Sequence, residues 1–515
     1  MRRVTTSALP VALLLLPAAA HFDDPPLRGS ITASANERFV ATTQTDTLIP
    51  PSAYAARRAQ LAQRVMPAAV IVNGRHLVGQ HELPKQDPNF WYLTGVESPY
   101  AILVIAPDAR SGAVAGAVRT ALFLPDSFEF AGAQFPMVDS GFRRAAWNQP
   151  RHRLAPGREA SRLTGIQETY PLREFAARVQ GIVGSTPTIF LAGVGDSLYA
   201  PPGTSRALTV DQQTSRAMAA LFPGRAIKDV TPLIKKLRLV KDRYEIAALR
   251  DAARISAQSM ETLMQRVKPG MNDLEAAGFL EAEWKRRGAQ RAAFAPIISS
   301  GPNAMTFFSL AGERYDAVGR VMQAGDLLFN DYGAAEVRRY ASDICRTIPV
   351  SGKFTAEQRT YYDIVLEAQE AAIAAVKPGV MMVDVIKAAA HVFRAHDLAQ
   401  YEDIAVMGAD KVWGIMPSPT HYLLRNGGIT QYTRFGGGVR DIGHHVGLEA
   451  TDGRDWSEPL AAGMVVTIEP KIYIPAKGMA IMIEDMILVT NTGSENLSVL
   501  APKKAVDIER VMRRR

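Results

Sequence analysis

Residues 463–490 read GMVVTIEPKIYIPAKGMAIMIEDMILVT, two strand-like apolar runs that each carry acid: Glu469 in the first, Glu484 and Asp485 in the second. Acidic residues are depleted in strands, and an ionised carboxylate in a core costs several kcal/mol unless something positive compensates it. The arrangement occurs twice. Upstream, GDLLFNDYG (325–333) leads into Asp331, and RRYASDICRTIPV (338–350) carries Asp343. Any one of these acids alone is more often a strand-end or salt-bridged carboxylate. Four such segments, in two hairpins with a histidine pair between them, demand a shared positive partner.

That pair, His444 and His445, stands in RFGGGVRDIGHHVGLEATD (434–452), in a chain with only nine histidines. Two divalent metal ions are the simplest partner. Asp331, Asp343, Glu469 and Glu484 supply four carboxylates and His444 one imidazole, and two bridging carboxylates would hold the ions roughly 3.5–4 Å apart. An oxygen-rich set with one nitrogen favours Mn²⁺ ahead of Co²⁺ or Zn²⁺. Strand alternation turns Glu484 inward and Asp485 outward. The surrounding glycines permit close backbone approach, and His445 alone fits a core position.

The flanks repeat as well. Apolar residues at helical spacing predict a helix over Asp242–Val267, stopped by Val267-Lys268-Pro269-Gly270, then a second capped by Asn272 and running to Arg287. Thr355 is the expected cap of a third helix to Ala375, followed by Val376-Lys377-Pro378-Gly379 and another helix. Pro-Gly ends many helices, but the recurrence favours an internal duplication with two halves facing each other across a cleft.

At 515 residues the chain calls for more than one domain. Residues 1–20 match an export signal, with Arg2-Arg3, an apolar run from Ala8 to Pro17, and Ala18-Ala19-Ala20 before His21. That run is too short to span a bilayer, so the expected location is periplasmic or secreted, with no membrane attachment after cleavage. Residues 21–50 read as a linker. From 51 to 225, runs such as AAVIVNG, YAILVIAP and PTIFLAGV alternate with helical stretches, predicting a layered α/β domain; residues 226–515 form the second. The net charge of +8 is spread without long basic runs, which excludes nucleic acid as a partner. A single cysteine, Cys345, excludes an internal disulfide.

These residues resemble the creatinase/prolidase/aminopeptidase P metallopeptidases. The order Asp331, Asp343, His444, Glu469, Glu484 is theirs. SDICRT (342–347) is similar to their SDITRT, HHVGLE (444–449) to H-x-x-G-L-D, TIEPKIY (467–473) to EPG-x-Y, and MIEDMI (482–487) to RIEDDI. KQDPNFWYLTG (85–95) resembles the N-terminal domain of aminopeptidase P in particular. The resemblance implies a creatinase-like α/β domain followed by a duplicated "pita-bread" α+β domain. It also implies a homodimer or homotetramer, and hydrolysis beside proline in peptides with proline at the second position, with Glu469 shuttling the proton. Departures are plain: Phe308, Arg440 and Thr451 stand where the family has histidines, Met482 where it has arginine, and Lys471 where it has glycine. Arg440, His445 and His421 are the candidate replacements. A dipeptidase or carboxypeptidase variant, with Lys471 or Arg440 gripping a terminal carboxylate, and a metal-binding pseudoenzyme are the alternatives.

Overall fold

The computed structural model describes residues 49–75, 85–108, 117–125, 154–192, 210–305, 319–396, 405–406, 442–453, 455–474 and 477–514. Its first part is a six-stranded sheet in the order β4-β3-β2-β1-β5-β6: β1 (Ala69–Asn73), β2 (Ile102–Pro107), β3 (Val118–Leu124), β4 (Glu168–Pro171), β5 (Thr188–Leu191) and β6 (Ala226–Asp229). β2 runs antiparallel to both neighbours and the remaining pairs are parallel. Strand alternation divides the burial. Val70 and Val72 pack with Leu61 of α1 (Pro51–Val65) and Phe90 of α2 (Pro88–Thr94), whereas Ala69 and Ile71 pack with Val179 on the other face. The edge strand β6 lies just beyond residue 225, in a segment too polar to announce itself as a strand.

α3 (Arg158–Thr164), α4 (Phe175–Val183), α5 (Val210–Leu221) and α6 (Thr231–Leu239) complete this part. α7 (Arg243–Met264) opens the second with a full capping box: Asp242 accepts from the Tyr244 and Glu245 amides, and Glu245 accepts in return from the Asp242 amide. Arg57 on α1 donates to Asp242 at 2.7 Å, tying the two parts together. α7 stops at Met264, three residues short of the predicted end. Asn272 caps α8 (Asp273–Arg286). Thr355 and Gln358 form the capping box of α9 (Ala356–Ala375), which α10 (Met382–Ala395) follows. Among the described residues no helix is long and apolar enough to cross a membrane.

The predicted duplication is present. In the first half, β9 (Leu327–Asn330) pairs antiparallel with β12 (Arg346–Pro349) beside β8 (Ile298–Ser300). The chain between them leaves that sheet to form the hairpin β10 (Ala335–Val337)–β11 (Tyr340–Ala341), which lies on β7 (Arg291–Ala292). In the second half, β14 (Val465–Ile468) pairs with β17 (Asp485–Val489) beside β18 (Ser494–Asn496). The hairpin β15 (Lys471–Ile474)–β16 (Met479–Met482) leaves to pair with β13 (Ala405–Val406). The C-terminal α11 (Ala505–Met512) packs into the core of this part, with Leu263, Leu280, Val365, Ile386, Val466 and Ile487.

Each of the four acids expected to be ligands lies where the chain crosses from one sheet to the other. Asp331 directly follows β9, Asp343 lies between β11 and β12, Glu469 between β14 and β15, and Glu484 between β16 and β17. The acids therefore occupy strand breaks, not strand interiors. At a break the side chain is released from the in-and-out alternation and can turn towards the opposite half.

Candidate metal centre

The two halves meet at these breaks. The Glu484 amide donates to the Cys345 carbonyl at 3.1 Å, and the Thr347 hydroxyl donates to the Met482 carbonyl at 3.1 Å while accepting from the Met482 amide at 2.9 Å. This stitching brings Asp343 and Glu484 together although they are far apart in sequence. His444 arrives on the segment beside β14, its amide donating to Thr467 Oγ1 at 3.0 Å. Gly443 makes that approach possible, since a Cβ there would fall on the Thr467 carbonyl oxygen.

His444 Nδ1 lies 3.2 Å from the His445 carbonyl oxygen. A carbonyl only accepts, so Nδ1 carries the proton and Nε2 is left with its lone pair. Nε2 points at the acids, 3.3 Å from Asp343 Oδ2 and 3.7 Å from Glu469 Oε1. Asp343, His444 and Glu484 each offer a donor atom, all within 4.8 Å of one another, and all three residues are buried. Asp331 and Glu469 adjoin this trio. Thr467 Oγ1 donates to Glu469 Oε1 at 3.4 Å, and Lys471 Nζ donates to Glu469 Oε2 at 2.6 Å.

The electrostatics are those of acids short of positive charge. Burial, then the neighbouring Glu469, pushes Asp331 up to about 7, against the pull of Lys471 and a hydrogen bond shared with Glu484. Burial, then Asp343, Glu469 and Asp331, drives Glu484 well above the usual carboxylate range. Burial would lower Lys471, but Glu469, Asp331 and Glu484 outweigh it and hold the side chain as an ammonium. Asp331 Oδ1 and Glu484 Oε2 are buried and make no hydrogen bond. Two orphaned carboxylate oxygens beside a tautomer-fixed imidazole are a donor set that fits divalent cations.

The remaining predicted residues fare differently. His445 does not join the cluster. Its ring packs against Trp456, centroids 4.3 Å apart, and its backbone bridges Gly453 and Val466. Burial, then the charge of Lys241, drops it to about 3, so it is a neutral imidazole. The role its position shows is packing. Asp485 faces away from the site, but away is not outward: it is fully buried, paired with Arg346 at 2.7 Å and Lys503 at 3.2 Å. Thr451 is exposed and Met482 buried. Arg440, His421 and Phe308 lie outside the described residues.

Sequence reasoning passed over three side chains that position the others. Thr467 sits in the apolar run VVTI, where its hydroxyl was the available signal. Gln369 on α9 donates to the carbonyls of Ile468 and Ile483, the residues preceding two of the acids. Arg346 donates to the carbonyl of its neighbour Cys345 and reaches the Glu484 carbonyl in the opposite half.

A duplicated α+β domain with acids and one imidazole buried at its centre, preceded by an α/β domain, is the plan of a metal-dependent hydrolase. Residues 247–491 match the model of "Metallopeptidase family M24" and residues 54–190 that of "Aminopeptidase P, N-terminal domain". The chain belongs to this metallopeptidase family and is a metallo-aminopeptidase by class, with the pita-bread fold expected from sequence. It is similar to the Xaa-Pro aminopeptidase of Escherichia coli (strain K12), 29% identical over 88% of this chain and 96% of the relative. Two solved structures are also similar. Aminopeptidase P from E. coli with the inhibitor Pro-Leu has a TM-score of 0.67 at 26% identity, over 90% of this chain and 99% of the other. Proline aminopeptidase P II from Yersinia pestis has a TM-score of 0.68 at 25% identity, over 91% of this chain and 100% of the other.

Proposed function

We propose that this chain removes the N-terminal residue from peptides with proline at the second position by metal-activated hydrolysis of the Xaa-Pro bond. The observation that carries the reading is the buried convergence of Asp343, His444 and Glu484, with Asp331 and Glu469 beside them. These five residues would hold two divalent ions, Mn²⁺ in preference to Co²⁺ or Zn²⁺. Bound ions supply an acidified water and a counter-charge for the scissile carbonyl.

The protein side chains do the rest. His444 offers Nε2 in one tautomer because Nδ1 is committed to a carbonyl. Thr467 and Lys471 fix one Glu469 oxygen each, so that its carboxylate is held in place to take up a proton and return it to the leaving amine. Export to the periplasm or beyond is part of the proposal, supported by the basic, apolar and small-residue order of residues 1–20. Assembly as a homodimer or homotetramer is part of it too, supported by the family resemblance.

One observation favours a second reading. Among the described residues, the imidazole paired with these acids is His444, while Thr451 and Met482 stand where the family resemblance expects histidine and arginine. A metal-stabilised binder of proline-rich peptides would need no more. Incubating the Mn²⁺-loaded chain with an Xaa-Pro-Xaa tripeptide and an Xaa-Pro dipeptide, beside Asp343→Ala, separates these outcomes. Cleavage of the tripeptide alone is expected. Cleavage of the dipeptide alone identifies a dipeptidase, and no cleavage with metal bound identifies the binder.

A further inference from the structure

The stretch KQDPNFWYLTG (85–95) contributes none of the expected ligands, yet it reaches the metal centre through a buried arginine. Asn89 in that stretch accepts from Arg238 Nη1 at 2.7 Å. Arg238 lies in the last turn of α6 and is almost wholly buried. Its Nη2 donates to Asp452 Oδ1 and, at 2.6 Å, to Glu449 Oε2. Lys241 Nζ lies 3.4 Å from the other Asp452 oxygen. Gly447 leaves room for that carboxylate, since a Cβ there would fall on Asp452 Oδ2. The loop that carries Asp452 leads back to the metal imidazole. The Asp452 amide donates to the His445 carbonyl at 2.7 Å and the His445 amide to the Gly453 carbonyl at 2.9 Å, closing residues 445–453 on themselves. The same His445 carbonyl accepts from His444 Nδ1 at 3.2 Å. A carbonyl oxygen has two lone pairs, and here one takes the Asp452 amide and the other the imidazole. Where Asp452 stands therefore sets where that oxygen points, and Arg238 with Lys241 sets where Asp452 stands.

We propose that Arg238 and Asp452 are positioning residues for His444: they hold the His445 carbonyl in place and, through it, orient the imidazole that takes the metal. The α/β domain, by way of Asn89, thereby braces the metal centre. The inference rests on the metallopeptidase reading above and deepens it. A buried ion pair is a stiff anchor, because neither charge can leave without stranding the other. A group that orients a ligand imidazole through its second nitrogen changes metal affinity about 10- to 100-fold when removed. Arg238 acts one step further back, at the lower end of that range.

The test is a double-mutant cycle in Mn²⁺ affinity on the chelator-stripped full-length chain, read by calorimetry and by electron paramagnetic resonance of free Mn²⁺. Its four members are the wild type, Arg238→Met, His444→Gln and the two changes together. Arg238→Met is expected to weaken Mn²⁺ binding about tenfold when His444 is present, and by less than about twofold when glutamine stands there. Arg238→Lys, which keeps the charge and loses the fork, should bring the loss down to about threefold. A cycle with Asp452→Asn, expected to give the same pattern, takes its place should Arg238→Met not fold. Unchanged affinity in the single variant would overturn the inference. So would a loss equally large in the His444→Gln background, because a merely structural effect falls on every ligand alike. Uptake of no Mn²⁺ by the wild type would overturn it together with the metallopeptidase reading. A His444-dependent loss in a chain that does not hydrolyse Xaa-Pro peptides would support the inference and count against the activity alone.

Discussion

Arg346 is the side chain whose loss should be felt in both the fold and the metal centre. Its guanidinium is fully buried and spans the junction between the halves. It donates to Asp485 Oδ1 at 2.7 Å, to the Glu484 carbonyl at 2.6 Å and to the Cys345 carbonyl at 2.8 Å. It also donates to the carbonyls of Ala501 (3.0 Å) and Pro502 (2.9 Å). Arg346→Met preserves the stem and deletes every one of these donors. Removing one partner of a buried ion pair costs about 3–5 kcal/mol, largely because the other charge is stranded. Asp485 is not wholly stranded, since Lys503 at 3.2 Å and the Asn496 amide at 2.9 Å remain. Against that relief stand four carbonyls that lose a donor, three of them in buried residues, with the Cys345 carbonyl keeping the Glu484 amide, each loss worth about 1 kcal/mol or less. The two corrections roughly cancel, leaving an expected loss of about 4 kcal/mol. Because Arg346 pins the backbone carbonyl of Glu484, its loss should also weaken metal binding by about 10- to 100-fold, the usual effect of removing a group that orients a ligand. Urea unfolding followed by tryptophan fluorescence and Mn²⁺ titration give the two numbers. Arg346→Lys, which keeps the charge and loses the fork, should fall between. A loss below about 1 kcal/mol with unchanged Mn²⁺ affinity would refute the claim that this one side chain braces both halves.

Two further outcomes are expected. Burial raises Asp452, but Arg238 and Lys241 overcome it and hold its carboxyl below the ordinary value of 3.8. A depressed carboxylate pKa stabilises the fold above the unfolded value and loses that contribution as pH falls through the folded one. The stability gap between the wild type and Asp452→Asn should therefore be constant at neutral pH and close progressively below 3.8; a gap that widens on acidification would contradict this pairing. His445→Phe, which preserves contact with Trp456, should keep turnover within about threefold of the wild type, whereas His444→Ala should lower it by 1,000-fold or more, to be read from kcat/KM on a tripeptide. A loss of about 100-fold in His445→Phe would return His445 to the chemistry.

Much of the architecture was legible because it is written in local signals. Asp242 with Glu245, Asn272, and Thr355 with Gln358 are caps whose partners lie within three residues, so the starts of α7, α8 and α9 follow from the sequence. The duplication was legible for the same reason, as the stop Val-Lys-Pro-Gly recurs. The acids betrayed themselves by hydropathy contrast with their neighbours. Their placement at strand breaks was not legible, because a break between two sheets is decided by pairing with distant strands. The same limit applies to Asp485. Alternation correctly turned it away from Glu484, but only the position of Arg346 and Lys503 shows that the far face is also core. Lys471 was visible as a departure from a familiar motif. Its contact with Glu469 follows from the β14–β15 break, which no periodicity encodes.

Metal content tests the central claim most directly. The full-length chain, stripped with chelator, reloaded with Mn²⁺ and desalted, should retain bound Mn²⁺ by elemental analysis, while Asp343→Ala and His444→Ala treated alike should retain almost none. Retention equal in all three proteins, or absent from the wild type, would contradict a cation held between Asp343, His444 and Glu484.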